Sequence, residues 1–497
     1  MDRRSFVGGG GALAATLLST SAAGQAQTAT PKAAVALPDK NSRKTASGKP
    51  VTLELAEYCA ATTFERMPVA VRERTKKVIF DEVACAHFGR RSAAGGLAAR
   101  YATSFGGHEE ARIFGTQMMA TAPYAAMANG TAGHGEEVDG AHVVGGHPGA
   151  SIVHATMAMA ERQRVRGADV VCAVALGYDV GVRIVTACGG KFAVRDDKHL
   201  TSDFFYALGS TAAAGRILGL DAMRHCHALA LATFQANGLN ALYDEKRHIS
   251  KSFCNGQFAF AGVSAALMAA VGLEGNEDII GAPAGVLDAW ANGTGQAAIT
   301  KGLGSDFAIL GGNFKFFNAG YPIHTPVEAA NLLVRTHAIR PDSIQAVLVG
   351  MPENAMRVVD NREMHNICVQ DMLAAALSTG GLKLRDQPFP AILTDASYRR
   401  IRALIEVRVD PELQREDPNG RGAKVAITTK DGKQFTQRVD YPRGHSKRGE
   451  VSWEDLAEKW TGSLVGCDVG RAIGLARRLE DLEDIREFAA AFVGDQS

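Results

Sequence analysis

The sequence has eight cysteines in 497 residues, and no two of them form a C-x-x-C pair. This excludes the ligand spacing of a zinc ribbon or a thioredoxin-type redox site. An Fe–S ligand set and a Gly-rich dinucleotide loop are also missing, so no cofactor is expected. Neither sign of charge is in excess: 54 Lys and Arg against 53 Asp and Glu leave a net +1. Such a balance gives no basic face for nucleic acid, and a charged ligand has to be met by a few placed residues. There is no low-complexity tract, no internal repeat and, past the N-terminal segment, no stretch that reads as a membrane span. What remains is an ordinary globular composition, 46% hydrophobic and 22% charged, on a chain long enough for two domains. Cys59, Cys85, Cys172, Cys188, Cys226, Cys254, Cys368 and Cys467 are expected to be small apolar residues rather than disulfide partners.

The N-terminal stretch "DRRSFVGGGGALAATLLSTSAAGQA" sets Arg3 and Arg4 before Phe6 and a weakly apolar run too short to span a bilayer. Gly24-Gln25-Ala26 offers a small-x-small cleavage site. The order of elements predicts a twin-arginine export signal over 1–26 and a periplasmic address. Residues 27–50 are then expected to be a flexible lead-in.

From 51 to 305 the pattern is helical. "VRERTKKVIFDEVACAHFG" places Val78, Ile79, Val83 and Ala86 on one face. "GADVVCAVALGYDVGVRIVTACGG" and "FFYALGSTAAAGRILGL" are rich in small apolar residues on several sides, which predicts helices buried all round. From 306 to 448 the texture changes. "ALIEVRVD" alternates, and two alternating runs flank Asp431-Gly432, a strong hairpin signal. Residues 449–497 turn helical again and are expected to return to the first domain. The expected fold is mostly α: a large helical domain with a smaller inserted α+β lid domain.

The chemistry-bearing stretch is "HGEEVDGAHVVGGHPGA", with His134, Glu137, Asp139, His142 and His147. Its spacing matches neither the metalloprotease H-E-x-x-H nor a calcium loop. A metal cage, a polar loop without chemistry and a metal-free acid–base site all remain open on pattern alone. The glycines and Pro148 fix a tight backbone path. Elsewhere, Lys251 precedes an apolar helix, His199 stands at a helix start, and Lys315, Tyr321 and His324 lie among aromatic residues in "GNFKFFNAGYPIHTPVEAA".

Taken in order, these segments resemble the MmgE/PrpD family, whose members include 2-methylcitrate dehydratase and cis-aconitate decarboxylase. The resemblance runs over nearly all of 52–460. It includes "DEVACAHFG", "LGSTAAAGRILGLD", "KSFCNG", "NFKFF" and "YPRGH…SWEDLAEKW". It places the family's leading acidic residues on Glu137 and Asp139 and its histidines on His142, His147 and, one residue out of spacing, His199. Its lysines fall on Lys251 and Lys315, and its later histidine on His324. Gly140 stands where a third acidic residue is usual, Ala141 for a threonine, Cys254 for a histidine and Tyr321 for an arginine. The fold implied is a helical domain with a lid-like α+β domain, usually a homodimer.

What the resemblance implies is a cofactor-independent lyase, dehydratase or decarboxylase in type, acting on a small di- or tricarboxylate. Lys251 and Lys315 are expected to stabilise the anion in a water-poor cleft. His147, then His199, is the expected proton carrier, with Glu137 and Asp139 orienting the imidazoles or acting as the partner base, and His142, Tyr321 and His324 as substrate contacts. No metal, nucleic acid or stable membrane insertion is expected. Two readings stay beside it: an isomerase or epimerase using the same groups, and a non-catalytic periplasmic carboxylate-binding protein.

Overall fold

The helix Gly167–Ala187 is buried on nearly every side, as its run of Ala, Gly and Val dictates. A computed structural model of the chain describes residues 42–235, 237–245, 249–384 and 393–494. The twin-arginine segment therefore lies outside the described residues. Against that helix pack Pro148–Gln163 and Phe205–Ile217, and Ile249–Ala270 packs in turn on those two, all lined with small residues. Gly167–Ala187 and Ile249–Ala270 are long and apolar enough to cross a membrane, but both are largely covered by protein. All eight cysteines are free thiols, six of them buried.

This first hydrophobic core runs from Val51 to Phe316 and takes in Val451 to Phe492 at the other end of the chain. One reason for that return is the helix Val69–Gly89. Its apolar face is buried as expected, but Asp81 and Glu82 are buried beside it. Asp81 accepts from Lys459 Nζ at 2.7 Å and from Trp460 Nε1 at 2.7 Å, both on the helix Trp453–Trp460. A buried carboxylate needs such donors, so the C-terminal helix is held to the front of the chain by charge as well as by apolar area.

A second core spans Ala319 to Val439. It sits under a four-stranded sheet in the order Ile405–Val409, Ile344–Met351, Ala423–Thr429, Gln434–Val439, with the first pair parallel and the rest antiparallel. The hairpin turns at Asp431-Gly432, where Gly432 takes φ +82° and Thr429 N–H donates to Lys433 O. The helices His324–His337 and Val369–Ser378 cover the sheet. The fold class is that expected: mostly α, with a smaller α+β part.

Residues 42–50 correct the expectation of a flexible lead-in. Arg43 pairs with Asp288, and its Nε donates to Gly293 O at 2.8 Å while its N–H reaches Gly281 O at 3.0 Å. Composition suggested a loose segment, but one arginine with three fixed partners docks it.

Candidate active site

The helices Ala122–His134 and Ile249–Ala270 run antiparallel and touch at Gly256, where an added Cβ would meet Thr131 Oγ1 at 2.2 Å and Met127 O at 2.3 Å. Only glycine permits that approach. Its result lies one turn further on, where the last residue of the first helix, His134, meets Lys251 in the first turn of the second.

Lys251 Nζ donates to His134 Nε2 and, at 2.9 Å, to Glu137 Oε1. His134 Nδ1 lies 2.9 Å from Asp139 Oδ2. Glu137 Oε2 and its backbone carbonyl each accept from Lys315 Nζ at 3.0 Å, and Asp139 Oδ1 lies 3.5 Å from the same ammonium. Glu137 itself has φ +54°, an uncommon backbone for a residue with a side chain.

Two cations thus flank two carboxylates. Burial opposes charge on Glu137, but Lys251, His134 and Lys315 outweigh it and hold the carboxyl well below its usual range. For Asp139, burial is likewise outweighed by His134, His147 and Lys315. Burial would lower Lys315, and the two carboxylates raise it instead. Burial and Lys251 both favour a neutral His134, while Asp139 and Glu137 push its pKa above the ordinary value. Its Nε2 stands against Lys251 Nζ and 3.1 Å from Glu137 Oε1, while Nδ1 faces Asp139.

His147 caps the helix Pro148–Gln163, and its N–H donates to Asp203 Oδ1 at 2.7 Å. The approach to it is a tight turn through Gly145 (φ +113°) and Gly146 (φ +79°), where His142 N–H donates to Gly146 O at 3.1 Å. The His147 Nδ1 lies 3.0 Å from Gly140 O and 3.1 Å from Asp139 Oδ2, so it carries the proton. Among the described residues nothing bonds its Nε2, and the side chain borders a cavity of about 610 Å³. Burial pushes its pKa down to about 4 against the pull of Asp139. His147 is therefore a neutral ring with a lone pair at the cavity wall.

The cavity lies between the two cores. Its wall includes Glu137, His147, Lys191, Tyr243 and Lys251 from the first and Tyr321, Arg357 and Arg421 from the second part of the chain. The structure brings Glu137, His142, His147, His199, Lys251 and Tyr321 to this wall. His142 is there with both nitrogens engaged: Nδ1 accepts from Val144 N–H at 3.2 Å and Nε2 donates to Ala308 O at 2.8 Å. Burial pushes it to about 4, a structural neutral ring. His199 is exposed at the rim in a left-handed cap (φ +57°), and nothing among the described residues orients its ring.

Three expected residues lie elsewhere. Lys315 is fully buried and stands behind Glu137 rather than at the cavity wall, because the Glu137 carboxylate and carbonyl accept its protons and Asp139 pairs with its charge. Asp139 is likewise behind the wall. His324 is buried off the cavity with Nε2 donating to Ala319 O at 3.1 Å. The Gly140 position is also explained. A Cβ there would meet Asn313 O at 2.8 Å and Glu82 Oε1 at 3.0 Å, and the Gly140 N–H donates to that same carboxyl at 2.9 Å. A buried carboxyl from the helix Val69–Gly89 thus occupies the space a third acidic side chain would need.

His134, Glu137 and His147 offer donor atoms within 4.8 Å of one another, close enough for a metal ion. Lys251 already bonds the His134 nitrogen and one Glu137 oxygen, and Lys315 bonds the other. A divalent ion would have to enter against two ammonium groups, so this donor set fits a metal poorly.

Sequence reasoning missed Lys191, Tyr243, Arg421 and Asp203. Asp203 is the anchor of His147, and its carboxylate also accepts from Thr201 Oγ1 at 3.0 Å and lies 3.4 Å from the Tyr243 hydroxyl. The only signal was its place in "HLTSDFF", beside a histidine that drew attention first.

The chain matches the family model of the MmgE/PrpD N-terminal domain over residues 53–298 and that of the C-terminal domain over 317–467. It is 26% identical over 439 residues to a cis-aconitate decarboxylase of Homo sapiens, covering 83% of this chain and 88% of that protein. A cis-aconitate decarboxylase of Aspergillus terreus is 28% identical over 301 residues, covering 58% and 61%. A cis-aconitate decarboxylase-like protein of Aspergillus oryzae is 23% identical over 485 residues, covering 90% and 98%.

Proposed function

This chain belongs to the MmgE/PrpD family, and from that membership we propose that it is a cofactor-independent lyase acting on a small tricarboxylate of the aconitate or citrate type. Carbon–carbon cleavage, as in the decarboxylases it is similar to, is the reaction we favour. The observation that carries the reading is the neutral His147, its Nε2 open to the cavity, beside the Lys251 ammonium.

In this scheme a substrate carboxylate pairs with Lys251 in a cavity partly closed to water, where a fixed cation acts more strongly than in solution. In decarboxylation the bond to the leaving carboxyl breaks, CO₂ departs, and its electron pair is held as an anion next to the remaining carboxylates. His147 Nε2 takes up a proton from solvent and passes it to that carbon, returning to the neutral ring, so one new C–H bond forms and one solvent proton is consumed. In dehydration the same Nε2 takes the proton from carbon as the C–O bond breaks, and water leaves. Asp139, on the far side of the ring, stabilises the imidazolium in either direction.

The test is turnover of cis-aconitate and citrate by the full chain, read as CO₂ release and as change in alkene absorbance. His147→Ala should lower the rate by about 10²–10⁴, the range of a positioned proton carrier, with a melting temperature near that of the wild type. Wild-type turnover in that variant would overturn the assignment.

Export through the twin-arginine route is part of the same proposal and rests on Arg3, Arg4 and the apolar run behind them. Recovery in the periplasmic fraction, lost on Arg3→Lys/Arg4→Lys, is the outcome expected. A homodimer is the assembly the resemblance implies, and light scattering checks it.

A further inference from the structure

We propose that Lys191, Arg421 and the Tyr321 hydroxyl form a second anion subsite that holds a carboxylate of the substrate remote from the reacting carbon. The inference rests on the lyase reading and deepens it, by making the required ligand an acid with at least two separated carboxylates.

The three groups come from distant parts of the chain and border the same cavity as His147 and Lys251. Lys191 lies in the helix Gly190–Lys198, its stem packed where a Cβ on Gly145 would meet it at 2.4 Å. Among the described residues no group accepts a hydrogen bond from its Nζ. Arg421 comes from the loop before the strand Ala423–Thr429 and, among the described residues, its guanidinium donates to the carbonyls of Asn419 and Gly420 alone. Its guanidinium lies 5.6 Å from the centre of the Phe192 ring, next to Lys191 in sequence, so the two cations approach across the cavity. The Tyr321 hydroxyl is buried and has no hydrogen-bond partner among the described residues.

Two cations and a hydroxyl donor therefore line one cavity, and among the described residues no carboxylate is hydrogen-bonded to any of them, although Asp203 acts on Lys191 and Asp417 on Arg421 from further off. Elsewhere this protein pairs its buried charges, as Lys315 with Glu137 and Lys459 with Asp81. Unpaired like charges at a cavity wall cost stability, and the arrangement is accounted for by a ligand that supplies the missing anion. The effect is visible on Lys191: burial, then the nearby Arg421, pushes its pKa down to about 7. Burial and Arg195 lower Arg421 to about 10. Because one cation belongs to each part of the chain, a bridging carboxylate would also tie the lid side to the helical side.

The experiment measures binding to the full-length protein and to its K191M, R421M and R421K variants. Isothermal titration is used for tricarballylate, an unreactive tricarboxylate, and thermal shift for butyrate and inorganic phosphate. K191M and R421M are expected to weaken tricarballylate by about tenfold or more, as for loss of one charge-assisted hydrogen bond. R421K should keep most of the affinity, and the butyrate shift should not change. Wild-type tricarballylate affinity in both Met variants overturns the subsite, as does an equal loss of tricarballylate and butyrate. If the variants lose only phosphate, the subsite serves a phosphate-bearing ligand and the proposal is overturned. A wild-type protein that binds tricarballylate with this sensitivity but turns over neither cis-aconitate nor citrate retains the subsite and loses the lyase reading.

Discussion

Lys251 Nζ and Glu137 Oε1 stand 2.9 Å apart with both side chains buried, and the other oxygen of that carboxylate is 3.0 Å from Lys315. One carboxylate thus neutralises two ammonium groups, and removing it exposes both to their own desolvation cost.

Glu137→Gln should therefore lower stability by about 3–5 kcal/mol, the cost of leaving a buried charge uncompensated. Urea unfolding measures it. The double variant E137Q/K315M should recover part of the loss, because it removes the stranded partner as well. An E137Q midpoint equal to that of the wild type would show that the cluster does not hold charge as described.

If the reaction is dehydration, the pH profile of kcat/KM should rise through about pH 4 and stay level above it, since His147 has to be neutral to accept a proton; if it is decarboxylation, the ring has to carry a proton to carbon and the profile should fall as pH rises through that value. Asp139→Asn removes the group that raises the ring's pKa, so in either case the limb should move to lower pH.

Stability should fall on acidification as the buried neutral histidines are forced to take up protons. Burial holds His142 and His225 at about 4 and His154 and His324 at about 3, below the ordinary value. Their folded pKa lies below the unfolded one. Their contribution is complete above about pH 6.5 and is lost as pH falls toward 4 and below. A denaturation midpoint constant from pH 7 to 4 would contradict this.

Gly256→Ala should cost about 1–3 kcal/mol as an overpacked helix contact and reduce turnover more than stability alone predicts, because it separates Lys251 from His134. Melting temperature and kcat, measured on the same sample, distinguish the two effects.

Gly140→Asp should not restore a family-like site. The added side chain meets Asn313 O and the Glu82 carboxyl, so the variant should melt lower than the wild type. Glu82→Ala should make the same substitution better tolerated.

The sequence displayed much of this. Order and composition carried the fold class, since helices of small residues and a D-G hairpin have local signatures that packing did not override. His147, Glu137 and Lys251 were legible because glycines and an apolar helix frame them. Lys191 and Arg421 were not, since a lysine on a short polar helix looks like a solvated one until the opposite wall is in place. Lys315 was read as facing the cleft because sequence shows that a cation is present but not which carboxylate stands in front of it. Glu82 was invisible for the same reason: its partner, Gly140, contributes only a backbone N–H.

The short ladder that pairs Ala141–His142 with Gly312–Asn313 has a consequence for motion. It clamps the turn bearing the imidazole to the segment bearing the innermost ammonium, so the two travel as one rigid mount. Lid-side breathing can then widen or narrow the entrance while the spacing among the proton-handling groups stays constant.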